Sequence, residues 1–348
     1  MKIKKKYFIT FIAIILVAMS ACEVDPTIKE ELPANDIRFS VPVGWPQPVY
    51  DYSTNSLTTE GFVLGRKLFY DTRLSRNNTI SCGSCHQQFA AFSHLDHAVS
   101  HGIDGLLGTR NAPGIYNLNW HPSFMWDGGV NHLEVQPLAP IANPVEMDED
   151  INNIVVKLQN DADYRRLFRE AFNTETITAP LILKAMAQFQ GMLVSANSKY
   201  DRYMKGETSL SVSELSGLNL FQQKCNSCHT APLFSNFQYM NNGLDSVFAD
   251  AGRARITLLA ADSGTFKVPS LRNVGLSRQY MHDGRFLTLE QVLDHYSSGV
   301  VNSSTISAGV IGGIPMTTQE KQDIIAFLKT LSDYSFINDR RFADPFAP

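Results

Sequence analysis

The sequence predicts an all-α protein made of two tandem helical domains of related design. Two observations lead to this prediction. A five-residue motif with two Cys and one His occurs twice, and similar residues surround both copies. Elsewhere, apolar residues recur at helical spacing, and no set of segments alternates apolar and polar residues as half-buried strands do. A chain of 348 residues is long enough for two domains with separate cores.

Residues 1–22 are typical of an export signal and are not expected to join the fold. Four Lys within the first six residues precede an apolar run, residues 7–21, which is shorter than the about 20 residues that a membrane span needs. Cys22 follows small residues, where lipoprotein signals are cleaved and the Cys is lipidated. We therefore expect a periplasmic chain held to a membrane through Cys22, with an ordinary cleaved signal as the alternative. Residues 23–45, with three Pro and scattered charges, predict a tether.

The two Cys-containing motifs are "CGSCH" and "CNSCH", and the pattern C-x-x-C-H attaches a c-type haem. Two thiols bond to the vinyl groups of one haem, and the His that follows ligates the iron. Structural zinc and disulfides also use paired Cys, but neither requires a His directly after each pair. The sequence thus predicts two covalent haems, attached through Cys82, Cys85, His86, Cys225, Cys228 and His229.

Helical periodicity predicts helices over residues 148–160, 162–172 and 178–205. Capping boxes, in which Ser or Thr precedes Glu or Gln by three positions, predict helix starts after Ser211, Thr288 and Thr317. We expect a first domain over residues 46–205 and a second over residues 206–348, joined by the long helix around residue 190.

An internal repeat links the domains. "GRKLF" precedes the first motif and "GLNLF" the second, while "FMWDGGVNHLE" and "YMHDGRFLTLE" follow them. We also pair Arg110-Asn111 with Arg272-Asn273. Each half is therefore predicted to be a small cytochrome c-like domain with one haem.

The repeat is most informative where it fails. Twelve residues after Gly128 is Pro140, and twelve residues after Gly284 is Tyr296. Pro cannot bind iron. If this position faces the haem in both halves, the first haem is open and the second has a candidate ligand. We therefore expect one haem for chemistry and one for electron transfer.

Four side chains compete for the second iron in "MHDGRFLTLEQVLDHY". Met281 and His282 have counterparts in the first half, so we expect them to serve the shared fold. His295 and Tyr296 are neighbours on one predicted helix and point about 100° apart, so both cannot face one iron. The spacing leaves these two open.

The first half carries further polar residues in "EVQPLAPIANPVEMDED". An open haem that meets hydrogen peroxide needs a base to move a proton and a polar group to assist cleavage of the O–O bond. Glu146 is the candidate base and Gln136 its helper. The alternative for Glu146 is a solvated surface carboxylate.

"CGSCH", "RNAP", "FMWDGG", "QPLAPIANPVEM" and "YMHDGR" together resemble the bacterial di-haem cytochrome c peroxidases and their MauG relatives, over residues 57–335. The resemblance implies periplasmic reduction of hydrogen peroxide by a small cytochrome c or cupredoxin. It implies that Glu146 is catalytic with Gln136 as partner, that Pro140 lies over the peroxidatic haem, and that Trp126 lies between the haems.

The resemblance also implies a calcium ion bound by the Asn111 side chain and the main-chain carbonyls of Ser277 and Gln279, where the family usually has Thr and Pro. It implies His101 as a distal ligand of the first haem, although the spacing differs by a residue or two and a polar loop is the alternative. Finally, the position of Tyr296 holds Met in standard peroxidases and Tyr in the MauG branch, which favours Tyr296 over His295.

Three functions follow as hypotheses: a hydrogen peroxide reductase, a MauG-like oxidase of a protein or organic substrate, and a di-haem electron carrier without catalysis. Glu146 and Gln136 near an open haem argue against the carrier. A net charge of -4 gives no indication of nucleic acid as a partner. The sequence leaves the oligomeric state open, a homodimer included.

Overall fold

Helices around two apolar cores build the part of the chain that the computed structural model describes, residues 37–347. The α-helices are α1 (Thr59–Tyr70), α2 (Cys82–Cys85), α3 (Leu138–Ala142), α4 (Ile151–Gln159), α5 (Ala162–Phe172), α6 (Ala179–Met192), α7 (Lys199–Met204), α8 (Val212–Lys224), α9 (Ala254–Thr257), α10 (Leu289–Asp294), α11 (Thr318–Lys329) and α12 (Tyr334–Ile337).

Other regular structure in these residues is short. A π-helical turn covers His295–Gly299. Strands β1 (Tyr239–Met240) and β2 (Phe266–Lys267) pair antiparallel, with Tyr239 opposite Lys267. The 3-10 helices are Tyr52–Thr54, Thr72–Leu74, Gln88–Ala90, Ile103–Gly105, Leu118–Trp120, Ala260–Asp262, Val274–Leu276, Ala308–Val310 and Arg340–Phe342. The predicted all-α class is confirmed.

The predicted export signal, the lipidated Cys22 and residues 23–36 of the tether lie outside the described residues. Among residues 37–347, none of the helices combines the length and apolar character required to cross a bilayer.

The three predicted capping boxes form, with reciprocal hydrogen bonds at Ser211, Thr288 and Thr317. Helix α5 has the predicted bounds, and α4 begins after the Asp150 N-cap, inside the predicted range. The predicted single helix over residues 178–205 is wrong, because the chain leaves the helix after α6 and restarts at the Ser198 capping box of α7.

Each half has its own core. In the first half, apolar residues of α1, α4, α5 and α6 form one buried cluster. In the second half, apolar residues of α7, α8, α10 and α11 form another. Tyr200 of α7 belongs to this second cluster, ahead of the predicted boundary after residue 205.

Glycines set the matching helix crossings of the two halves. At Gly65, where α1 meets α6, an added Cβ would lie 2.0 Å from the Ala185 carbonyl oxygen. At Gly217, where α8 meets α11, it would lie 1.9 Å from the Asp323 carbonyl oxygen. Such close backbone approach excludes any side chain, which explains the Gly in both "GRKLF" and "GLNLF".

The structure corrects one part of the predicted repeat. The counterpart of Asn273 is Asn117 and not Asn111. Asn117 and Asn273 both have left-handed backbones, and each is followed by a 3-10 helix. The N–H of Asn117 donates to Leu193 O at 2.8 Å, and the N–H of Asn273 donates to Leu331 O at 3.0 Å. At the same offset, which also pairs Met125 with Met281, the counterpart of Asn111 is Lys267.

Candidate functional site

A cavity of about 630 Å³ lies beside the first Cys-x-x-Cys-His motif. Helix α2 carries Cys82 and Cys85, and both residues line the cavity together with His86. Glu146 and Gln136 line the same cavity. The structure thus brings the predicted haem attachment site and the candidate catalytic pair to one place, and the further predicted residues that line it are Trp126, Pro140 and Asn111.

Glu146 is held at the cavity wall by a loop that packs on its backbone. Its carbonyl accepts the N–H of Ile103 at 2.8 Å, and an added Cβ at Gly102 would lie 2.5 Å from the same oxygen. Burial raises the pKa of the Glu146 carboxyl, while hydrogen bonds with the Asn143 and Ser100 side chains act in the opposite direction. A carboxyl with a raised pKa is suited to take up and return a proton.

Gln136 lies beside a second amide. Gln136 is buried, and its Oε1 accepts a hydrogen bond from Nε2 of Gln190 at 3.1 Å. Gln190 lies on α6, and its own buried Oε1 has no hydrogen-bond partner. Because both amides line the first cavity, its wall offers polar atoms to a small ligand.

A second cavity, of about 560 Å³, lies beside the second motif, whose two Cys and His229 line it. Tyr296 lines it as well, from the π-helical turn that directly follows α10. Burial raises the pKa of the Tyr296 hydroxyl, and a hydrogen bond with the Asn242 side chain acts in the opposite direction.

His295, the competing candidate for the second iron, makes a different contact. Its Nε2 lies 3.0 Å from Asn242 O, and the residue does not line the second cavity. Met281 and His282 do line it. The ring of His282 stacks on Phe266, with ring centroids 3.8 Å apart. The structure therefore separates the neighbours His295 and Tyr296 by the direction in which they point.

The His residues of the two motifs make the same contact with a main-chain carbonyl. Nδ1 of His86 lies 2.9 Å from Phe92 O, and Nδ1 of His229 lies 3.1 Å from Phe234 O. Burial lowers the pKa of each ring to about 4, so both rings are neutral at neutral pH. A neutral imidazole whose Nδ1 donates to a carbonyl keeps its Nε2 lone pair for a metal.

Trp126 belongs to the wall between the cavities, since it lines both, as do Asn111 and Lys267. Its Nε1 donates to Asn111 O at 2.9 Å, and its carbonyl accepts the N–H of Lys267 at 2.7 Å. The N–H of Asn111 donates to His282 O at 2.7 Å. Reciprocal backbone hydrogen bonds thus connect the two halves at this wall.

Comparisons with known proteins agree with this arrangement. Residues 59–209 match the family model described as di-haem cytochrome c peroxidase. The methylamine utilization protein MauG of Methylorubrum extorquens is 36% identical over 310 residues, which cover 87% of this chain and 86% of that relative. The chain belongs to the di-haem cytochrome c peroxidase and MauG family.

Both branches of this di-haem family are represented among the similar proteins. The cytochrome c551 peroxidase of Nitrosomonas europaea is 33% identical over 276 residues, which cover 77% of this chain and 79% of that relative. The crystal structure of a MauG-like protein associated with microbial copper homeostasis matches with a TM-score of 0.83 and 36% identity, over 89% of this chain and 99% of that chain.

The residues present fit the two haem c groups of the family. All four motif Cys are free thiols, and each pair lies with a neutral His at the wall of its own cavity. Family membership and this donor set together assign one haem to each cavity. Thioether bonds would hold each haem, with His86 and His229 as iron ligands.

The predicted calcium ligands also come together. Asn111, Ser277 and Gln279 all line the second cavity. The main-chain carbonyl of Ser277 accepts a hydrogen bond from the Tyr280 hydroxyl, and that of Gln279 accepts one from the Ser277 hydroxyl, each at 2.8 Å. Within residues 37–347, no group of three or more His, Cys, Asp or Glu side chains is arranged to hold a metal. Calcium at this place remains a prediction.

His101 is not among the residues that line the first cavity, although its neighbours Ser100 and Gly102 are. Its ring stacks on the ring of His97, with centroids 4.8 Å apart, and His97 stacks on His94. The role of His101 as a distal ligand therefore remains a prediction.

No sequence pattern indicates several of the polar residues that line the cavities. Gln190 lies on an otherwise apolar helix face, and Asn242 lies in a loop far from Tyr296 along the chain. His121 and Lys267 also line the first cavity. Only the corrected repeat, which pairs Lys267 with Asn111, could have singled out Lys267.

Proposed function

We propose that this protein reduces hydrogen peroxide to water at the first haem, with electrons delivered through the second haem by a small cytochrome c or cupredoxin. The observation that carries the proposal is Glu146, a carboxyl with a raised pKa at the wall of the first cavity. Pro140 lines the same cavity and cannot ligate iron, so the position that Tyr296 holds in the second half is without a ligand in the first.

Reduction of one peroxide molecule consumes two electrons and two protons. The bound haem supplies electrons and an open iron position to peroxide. Glu146 takes the proton from the inner peroxide oxygen and returns it to the outer one, which leaves as water. Gln136, whose Oε1 is taken by Gln190, has its amide Nε2 left to donate to the oxygen atoms.

In this proposal, electrons pass from the second haem to the first through the wall between the cavities. Trp126 lines both cavities and is bound to the wall through Nε1 and its carbonyl, so its ring is held in place. A fixed aromatic ring at this position would couple the two haems. The donor would act in the periplasm, with the chain anchored through Cys22.

A second candidate is a MauG-like oxidase that removes electrons from a protein or organic substrate. The placement of Tyr296 at the second cavity favours it. An anionic phenolate ligand favours ferric iron, so it would lower the potential of the second haem and make it a poor acceptor for electrons from ordinary cytochromes.

Stopped-flow mixing with hydrogen peroxide, followed by an assay with a reduced small cytochrome, tests the proposal. A peroxidase reacts with peroxide and then oxidises the cytochrome over many turnovers. Reaction with peroxide without cytochrome turnover contradicts the peroxidase and supports the oxidase. Two low-spin, six-coordinate haems that do not react with peroxide indicate a pure electron carrier and contradict both.

We also propose a calcium ion at Asn111, Ser277 and Gln279. The support is their shared place at the second cavity, because calcium binds main-chain carbonyl and side-chain amide oxygens. Chelation should then lower activity and change the coupling between haems. An unchanged spectrum and rate, with no calcium by elemental analysis, would count against this site.

A further inference from the structure

Lys267 is a buried cation at the wall between the two cavities. Its exposed fraction is 9%, and it lines both cavities. Its Nζ donates to Ser123 O at 2.6 Å. An ammonium group has three donors, so this bond leaves two donors for other partners.

Lys267 forms no ion pair with a carboxylate of the described residues. The charge of Asp127 acts on it, but the Asp127 carboxylate already binds Arg110 at 2.6 Å and the N–H of Gly129 at 3.0 Å. Burial lowers the pKa of Lys267 to about 7. A buried ammonium without a counter-ion is costly, and an anion in an adjoining cavity would offset that cost.

His121 is a second unpartnered polar group at the first cavity. It lines that cavity and not the second, and its buried Nε2 has no hydrogen-bond partner. Its ring packs against Phe237, with centroids 4.6 Å apart. Burial, and the Lys267 charge after it, lower the pKa of His121, and both residues line the first cavity. A buried polar atom without a partner indicates a ligand atom that completes it.

The internal repeat matches Lys267 to a residue of the proposed calcium site. Lys267 is the counterpart of Asn111, and each donates its N–H across the wall to the other half, to Trp126 O and to His282 O. At the same offset, Ser123, whose carbonyl binds the Lys267 ammonium, is the counterpart of Gln279. Lys267 and Ser123 thus match two residues of the proposed calcium site, Asn111 and Gln279, and the Lys267 ammonium supplies the positive charge on its side of the wall.

We propose that Lys267 and His121 bind one propionate carboxylate of the first haem, Lys267 through its charge and His121 through a hydrogen bond from Nε2. Propionates are the anionic groups that a haem brings into its cavity. We assign the propionate to the first haem because His121 lines the first cavity and does not line the second. The inference rests on the two-haem assignment and is independent of whether peroxide or another substrate reacts.

The test is a redox titration of Lys267→Met, with haem content measured first. Without the ammonium, the propionate charge is uncompensated and stabilises the ferric haem. We expect the first haem to become roughly tenfold harder to reduce, which is 59 mV for a one-electron couple. Lys267→Arg should keep the native potential. The control is Lys184→Met, because Lys184 also donates to a carbonyl, Thr54 O at 2.9 Å, and lines neither cavity.

His121→Phe supplies a second test, since loss of the ammonium can also hinder assembly. It keeps a ring against Phe237 and removes the donor, so the potential should fall by a smaller amount. Unchanged potentials of the first haem in Lys267→Met overturn the proposal. If that variant does not retain both haems, an unchanged potential in His121→Phe overturns it. A shift in Lys267→Arg as large as in Lys267→Met rejects the role of the charge.

Discussion

The first and second cavities share a backbone design and differ in a few matched side chains. In each, the motif His is backed by a Phe carbonyl, and a left-handed Asn binds the chain after a long helix. The matched side chains that differ include Pro140 and Tyr296, Trp126 and His282, and Asn111 and Lys267.

This difference teaches that the division of work that we propose for the haems would lie in side chains and not in the fold. The backbone that prepares both His as iron ligands is the same, so it cannot by itself make one haem reactive. In the function that we propose, a Pro at one position and a Tyr at the matched position would leave one iron open and offer a ligand to the other.

The largest expected effect is the loss of catalysis at the first cavity, with the second cavity unchanged. Glu146→Gln should retain both haems and lower peroxide turnover by roughly 10²- to 10⁴-fold, because proton transfer is lost. In the native protein, the base form is required, so activity should fall as pH falls through the raised pKa of Glu146. Steady-state turnover with a reduced cytochrome measures both.

The control for this variant is Glu134→Gln, the same change at a carboxylate that binds the Tyr50 hydroxyl at 2.9 Å and does not line the cavity. Near-native turnover in Glu146→Gln would remove Glu146 from the mechanism.

A substitution in the second cavity, Tyr296→Phe, tests the same comparison. Tyr296→Phe should change the spectrum of the second haem and raise its potential on the order of 0.1 V, within the roughly 0.8 V range that axial ligands span. The first haem should change little. Redox titration of both haems measures this. If His295→Phe shifts the second haem and Tyr296→Phe does not, the ligand is His295.

The helix crossings test whether the halves are equivalent in packing. Gly65→Ala and Gly217→Ala each place a Cβ against a carbonyl of the facing helix, so each should destabilise the fold by about 1–3 kcal/mol. Thermal unfolding measures this. Gly299→Ala is the control, because an added Cβ there would make only ordinary contacts of 3.5 Å and longer and Gly299 lines neither cavity. A neutral result at one crossing only would show that the halves pack differently.

The smallest effect is expected at the amide pair. Gln136→Ala removes the acceptor of Gln190 and one donor to peroxide. We expect a loss of roughly tenfold or less in turnover, since a neutral hydrogen bond contributes about 1 kcal/mol. A loss as large as that of Glu146→Gln would show that Gln136 does more than assist.

Local chemistry was predictable from the sequence where a short pattern determines it. The Cys-x-x-Cys-His motifs and the capping boxes at Ser211, Thr288 and Thr317 need only neighbouring residues. The match between Tyr296 and Pro140 followed from counting residues along the repeat.

Long-range contacts were not predictable in the same way. The helix predicted over residues 178–205 ends at α6 because Asn117 binds the backbone beyond it, through Leu193 O and the Ser195 N–H. No pattern of neighbouring residues in the sequence indicates this contact. The identical Arg-Asn dipeptides favour a match between Asn111 and Asn273, whereas the structure matches Asn111 with Lys267, a different residue type that sequence similarity does not indicate.

The π-helical turn at His295–Gly299 has a consequence for how this protein can evolve. Because the turn starts where α10 ends, it decides which of two adjacent side chains enters the second cavity. Gain or loss of a single codon between Asp294 and Tyr296 would place a different side chain at the Tyr296 position, while α10 and its Thr288 cap precede the change. The gene can therefore change the lining of the second cavity in one step and leave the first cavity untouched.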